Sequence, residues 1–309
     1  MAYFDWNNAI PGVPEAWRKT EGKNVKIAII DSGAQLHASA LRHLDRPGHK
    51  FNLAQPGFSL SNALLPGGGN DAVTDQLSFG EMHGTATLSV LAGKPDSAGN
   101  GIKGVAPEAE VFIMKIMEPS AMYRKGYILD AIELALKLKV DIITCSVLPT
   151  FAGTYTEGRK DVLFKALRES NTLFISTLTN TTLPSVLTQL KFPSDQPECI
   201  VTGVAQIPVL SARLSAADLY KGIHFLSPPA KISALRMQSP DTFPLFNASG
   251  SVMTAALAGV CALLLSHRQR RLTKSEVLAE LNQYMTLSYD PMQMMGDTLP
   301  AFYANKINT

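Results

Sequence analysis

Val25-Lys26-Ile27-Ala28-Ile29-Ile30-Asp31-Ser32-Gly33 is the stretch whose reading decides the fold. Its short, largely β-branched run reads as a buried strand, and the Asp31 and Gly33 that end it put a carboxylate at the strand's carboxyl end. Ligand sites in open α/β sheets lie at that edge. Outward from it, Val111 to Ile116, Val140 to Val147, Thr172 to Leu178 and Cys199 to Val204 read as further strands, with helix-like segments alternating between them. Ile128 to Leu138 sets Ile128, Ile132, Ala135 and Leu136 at helical spacing and leaves Asp130, Glu133 and Lys137 for the wet side. Lys160 to Glu169 predicts another helix, and Thr273-Lys274-Ser275-Glu276 has capping-box spacing ahead of Val277, Leu278 and Leu281. This alternation predicts an α/β fold, a three-layer sandwich in which a parallel sheet carries helices on both faces. No repeat or low-complexity linker interrupts it, and a single domain over residues 1–309 is expected.

Ser251 to Leu265 behaves differently, being apolar nearly all round, as a helix buried through the centre of a domain would be. Small residues at Ala255, Ala256, Ala258 and Gly259 let neighbouring elements pack closely. A serine at the start of such a helix lies at the positive end of its dipole, where developing negative charge is favoured.

Composition sets the outer limits. With 309 residues, 46% hydrophobic and 17% charged, the chain has enough apolar material for a sizeable core. A net charge of +2, with basic residues spread along the chain, leaves no footprint for nucleic acid or an anionic membrane. The one dense run, His267-Arg268-Gln269-Arg270-Arg271, reads as the charged end of a helix. Cys145, Cys199 and Cys261 are odd in number, far apart and set in apolar stretches, which predicts buried, reduced thiols and no metal-ligand spacing. Met1 to Asn8 shows neither a basic n-region nor an apolar h-region, and a cytoplasmic monomer is expected. The apolar run Val252 to Leu265 is shorter than the roughly 20 residues that cross a bilayer.

Three segments then stand in the order Asp31-Ser32-Gly33, His83-Gly84-Thr85 and Ser249-Gly250-Ser251. Taken singly, Asp31 is a turn former, His83 a cap, and Asn180-Thr181-Thr182 a loop or a glycosylation sequon. Taken together they resemble the subtilase family of subtilisin-like serine proteases. Lys26 to Gly33 is similar to the family's catalytic aspartate segment, His83 to Gly93 to its histidine helix, and Gly104-Val105-Ala106-Pro107-Glu108-Ala109 to the turn that follows. Ser251 matches the nucleophile because Ala258-Gly259 lies at the family's offset beyond it, an offset that Ser249 would break.

The resemblance spans roughly residues 10 to 305 and implies a mainly parallel sheet of about seven strands. It implies Asp31, His83 and Ser251 as the catalytic triad, with serine attacking, histidine moving the proton and aspartate holding the imidazole tautomer. It implies Asn180, after the strand ending near Leu178, as an oxyanion donor beside the Ser251 N–H; losing such a donor costs roughly 10²- to 10³-fold in kcat in subtilisin itself.

Departures from the family pattern fall near the expected specificity pocket, which the resemblance places at Ser146, Val147, Leu148 and Thr179. Val147-Leu148-Pro149 replaces the usual Leu-Gly-Gly after Ser146, and Thr179 replaces the Gly before Asn180. Glycine lets a substrate backbone approach closely, whereas these residues add bulk and remove one N–H, so a narrowed pocket is expected. Around the nucleophile, Ser249-Gly250 replaces Gly-Thr, Val252 replaces an oxidisable Met, and Ala255-Ala256 replaces Pro-His. The family's calcium is not carried over, since Gln35 to Leu41 lacks the expected aspartate and Asp96 with Asn100 makes a weak oxygen set; no metal or cofactor is expected. The chain enters the catalytic region almost at once, so it is expected to fold unaided or to have lost a pro-segment. The expected activity is restricted cleavage of a peptide or protein substrate through an acyl-enzyme. The alternatives are a pseudoprotease or peptide-binding scaffold, a transpeptidase or macrocyclase, and a hydrolase of small esters or amides.

Overall fold

A computed structural model describes residues 13–65, 73–75, 82–97, 99, 101–117, 124–149, 157–177, 190–204, 224–227, 231–233, 245–247 and 249–282. Seven strands form one sheet: β1 (Lys26–Asp31), β2 (Lys50–Asn52), β3 (Glu110–Lys115), β4 (Ile142–Cys145), β5 (Leu173–Thr177), β6 (Cys199–Val204) and β7 (Phe225–Ser227), in the order β2-β3-β1-β4-β5-β6-β7. Every neighbouring pair is parallel. A separate antiparallel pair joins β8 (Lys231–Ser233) to β9 (Leu245–Asn247). Among the described residues five helices exceed two turns: α1 (His83–Ala92), α2 (Lys125–Lys137), α3 (Glu157–Ser170), α4 (Gly250–Arg268) and α5 (Lys274–Asn282).

Side chains alternate across a strand, and the two apolar clusters follow that alternation. Ile27 and Ile29 of β1, Ile142 of β4, Ile175 of β5 and Ile200 of β6 pack in one cluster with residues of α1, α4 and α5. Ala28, Ile30, Phe112, Met114, Ile143, Phe174 and Val201 pack in the other with Ile128 and Ile132 of α2 and Leu163 and Phe164 of α3. The result is the expected three-layer sandwich. It also fixes where polar residues at strand ends point: Asp31 shares the parity of Ile27 and Ile29, and Ser146 that of Ile142, so both face the α1/α4 layer.

Helix α4 outruns its apolar segment. Its 19 residues are long and apolar enough to cross a membrane by length and composition, but Gly250 to Leu265 are all buried inside the fold. It ends with His267 and Arg268 in the last turn, where cations meet the negative end of the dipole, and with Gln269 left-handed at φ 53°. Arg271, beyond that end, donates to the carbonyls of Lys139 and Ser170 and pairs with Asp141 at 2.8 Å, so the basic run finishes as a tie between layers. The thiols of Cys145, Cys199 and Cys261 are free and buried; burial pushes those of Cys145 and Cys261 up to about 12 and that of Cys199 well above its ordinary value. Strand β4 ends earlier than the sequence suggests, at Cys145; β5 covers Leu173–Thr177 of the expected Thr172 to Leu178, with Leu178 outside the described residues; and β2, β7 and the β8–β9 pair are elements the sequence pattern does not announce.

Candidate active site

Strand β1, inside the sheet between β3 and β4, ends at Asp31, and helix α1 begins at His83. Asp31 Oδ1 lies 2.6 Å from His83 Nδ1, with the aspartate side chain 3% and the histidine 25% exposed. A carboxylate can only accept, so Nδ1 carries the proton and the Nε2 lone pair is left as a base. The Ser32 N–H donates to Asp31 Oδ1 at 2.7 Å, and the Thr87 hydroxyl, one turn along α1, is 3.1 Å from Oδ2. These contacts require the two segments to touch. A Cβ on Gly84 would stand 2.2 Å from the Gly33 carbonyl oxygen and 3.1 Å from Asp31 Oδ1, so the residue after the histidine has no room for a side chain.

A second carboxylate sits behind the pair. Asp75 is 3% exposed; its Oδ1 accepts from the Ser32 hydroxyl (2.7 Å) and its Oδ2 from the Thr85 N–H (2.8 Å) and hydroxyl (2.6 Å). Ser32 Oγ in turn accepts from the Gly84 N–H at 2.8 Å. Burial raises the Asp75 carboxyl above its ordinary value, the hydrogen bonds from Ser32 and Thr85 pull it back, and the charge of Asp31 raises it again. Lys115, also buried, donates to the Thr74 carbonyl at 2.6 Å; burial lowers its ammonium and the charge of Asp75 counters that. Neither Asp75 nor Lys115 was singled out from the sequence. The available signal was indirect: Ser32 and Thr85 are short hydroxyls in apolar surroundings that need a buried acceptor.

Helix α4 packs against α1 and brings Ser251 to the same layer. Ser249 is its N-cap, and the Ser249 hydroxyl accepts from the Val252 N–H at 3.4 Å. That separates the two serines: Ser249 caps, while Ser251 is buried in the first turn, its N–H without an acceptor among the described residues. The Ser251 hydroxyl donates to the Ser146 carbonyl at 3.3 Å, and the Ser146 hydroxyl donates back to the Ser251 carbonyl at 3.2 Å. Ser146 is thus beside Ser251. Val147 points the other way, its side chain buried in the α2/α3 cluster, so only its backbone belongs to the α4 side. Leu148 is half-buried at the strand end. Thr179 and Asn180 lie outside the described residues. No group of three or more His, Cys, Asp or Glu side chains is arranged to hold a metal ion among the described residues.

A family model described as the subtilase family matches residues 22–286. The chain belongs to the subtilase family. That membership makes it a relative of serine proteases. This subtilase is 28% identical over 279 residues to the major intracellular serine protease of Bacillus subtilis (strain 168), covering 87% of this chain and 78% of that one. It is 30% identical over 139 residues to the intracellular serine protease of Paenibacillus polymyxa, covering 43% of this chain and 36% of that one. To subtilisin E of Bacillus subtilis (strain 168) it is 24% identical over 245 residues, covering 79% and 56%. Among solved structures, that of the prenylagaramide maturation protease PagA superposes with a TM-score of 0.62 at 20% identity, covering 92% of this chain and 91% of that one, a likeness of fold.

Proposed function

We propose that this subtilase is a serine endopeptidase of restricted specificity, with Asp31, His83 and Ser251 as its triad. The observation that carries the reading is the 2.6 Å contact between Asp31 and His83 Nδ1, on the layer where the first turn of α4 holds Ser251. In this mechanism His83 Nε2 takes the Ser251 proton as Oγ attacks the scissile carbonyl. The new negative oxygen is held by the Ser251 N–H and the Asn180 amide, and the proton passes on to the leaving amine. Water then repeats the sequence on the acyl-enzyme. The neighbouring charge of Asp31 offsets the cost of the imidazolium that forms in each half.

Substrate would lie along Ser146, the Val147 backbone, Leu148 and Thr179. Leu148, Pro149 and Thr179 add side chains where a glycine would admit the substrate closely, which favours processing of one peptide or protein over bulk digestion. We read the enzyme as a monomer working inside the cell without nucleic acid or membrane; the two relatives named intracellular serine proteases and the free buried thiols support the location.

A fluorophosphonate probe tests the assignment. Labelling at Ser251, located by peptide mass spectrometry and lost in Ser251→Ala, is the expected result, followed by cleavage of a narrow subset of a peptide library. Folded protein that takes no label would leave the cleft as a peptide-binding surface without turnover, and labelling at Ser249 would overturn the alignment.

A further inference from the structure

Asp75 has a place in the molecule that the triad does not use. Three segments meet at it: residues 31–35 at the end of β1, residues 73–75, and the first turn of α1. Its carboxylate accepts from Ser32 on one side and from Thr85 on the other, and Ser32 Oγ closes the loop by accepting from Gly84. The main chain reinforces the junction, with the Ala34 N–H donating to the Val73 carbonyl at 2.8 Å and the Gln35 side-chain amide to the Asp75 carbonyl at 3.0 Å. Each partner of the carboxylate is thus the neighbour, or next neighbour, of a residue in the Asp31–His83 pair. Contacts from the Ser32 hydroxyl, the Thr85 hydroxyl and the Thr85 N–H hold both oxygens of the carboxyl group in place.

We propose that Asp75 is the positioning residue of the Asp31–His83 pair: it fastens the strand end to the histidine helix, and its charge, balanced by Lys115, helps set the proton affinity of His83. His83 pairs with Asp31, and the charges that act on this junction among the described residues run through Asp31 and Asp75: Asp31 acts on Asp75 and on the Cys145 thiol of β4, and Asp75 acts on Lys115 of β3. Cys145 is held protonated by burial, with its value pushed up to about 12. Two carboxylates therefore face one ammonium. Removing the Asp75 charge makes the imidazolium harder to form, and removing the Lys115 charge makes it easier.

This inference rests on the protease reading for its consequence to catalysis but not for its test. The imidazole of His83 is titrated by NMR, its resonance assigned with His83→Gln, in the wild type, Asp75→Asn and Lys115→Met. Asn keeps the shape of the side chain, and Ser32 and Thr85 can still bond to it. The expected result is a midpoint lowered by about half a pH unit or more in Asp75→Asn and raised by a similar amount in Lys115→Met. The acid limb of the fluorophosphonate labelling rate should move with it. Loss of packing alone would change amplitude or stability in both variants without opposite shifts. A midpoint that does not move in Asp75→Asn overturns the proposal. Should that variant fail to fold, Lys115→Met decides by the sign of its shift, and no upward shift there overturns it equally. Opposite shifts in a wild type that never labels would uphold this inference and remove the protease reading instead.

Discussion

In the proposed mechanism His83 works only in one tautomer, and Asp31 is what selects it. Asp31→Asn would present an amide hydrogen to Nδ1 in one orientation and move the imidazole proton to Nε2, abolishing the base without disturbing the shape. The expected loss is on the order of 10⁴-fold in kcat with little change in KM, read from steady-state kinetics on a cleaved peptide. A loss confined to KM would mean that the aspartate orients substrate and not the ring. Ser249 gives the complementary case, because its hydroxyl caps α4. Ser249→Ala should cost about 1 kcal/mol in urea unfolding while Ser251 still labels; abolished labelling in a stable protein would assign the nucleophile wrongly. Both residues of the Asp31–His83 pair were legible from sequence only through the order of the motifs and their resemblance to the subtilase family, since taken singly Asp31 reads as a turn former and His83 as a cap. Asp75 was not, since it lies in an irregular stretch with no period, and its meaning comes from Ser32 and Thr85, 43 and 10 residues away.

At the scale of elements, what was readable tracks how completely an element is buried. Strand β1 and helix α4 are apolar along nearly their whole length, so each declares itself as a run. The box ahead of α5 was equally local: the Thr273 N–H donates to Glu276 Oε2 at 2.7 Å and the Glu276 N–H to Thr273 Oγ1 at 3.2 Å. Strand β2 covers three residues, one of them a lysine, and owes its existence to pairing with β3, so no pattern of its own was there to find. Val147 shows the same limit from another side. Its side chain faces the α2/α3 cluster because it follows Ser146 by one residue, an alternation that sequence position alone could have supplied had the strand's end been known. Packing of α4 also yields a prediction. A Cβ on Gly259 would fall 2.5 Å from Val105 Cβ, so Gly259→Ala should destabilise the protein by about 1–3 kcal/mol through overpacking, with Val105→Gly, which removes that Cβ, recovering part of it in the double variant. Strictly additive losses in a denaturation cycle would show that the two side chains do not compete for that space.

For the whole molecule, acid is the condition that tests the packing. The ring nitrogens of His43 are buried and make no hydrogen bond of normal geometry. Burial lowers its value from 6.5 to about 4, with the nearby Lys94 charge adding to the effect. His224 is lowered to about 4 as well, by burial and by Lys274, and its Nδ1 accepts from the Val201 N–H, which requires the neutral ring. Between about 4 and 6.5 the unfolded chain therefore binds more protons than the folded one, so stability is fully present above 6.5 and declines as pH falls toward 4. Melting temperatures recorded from pH 7 to 4.5 should show that decline, and His43→Phe should flatten it; an unchanged slope would mean that ring does not titrate in the window. The order of elements along the chain has a different kind of consequence. All the described strands precede α4, yet α4 packs on β4, β5 and β6, so Ile142, Ile175 and Ile200 lack that cover until the helix is made. A nascent chain halted before Gly250 thus exposes a broad apolar surface and is a substrate for chaperones rather than a folded intermediate. Ribosome-bound chains of increasing length should remain chaperone-bound up to that point and be released only once Arg268 has emerged; early release would show that the sheet can hide its face without the helix.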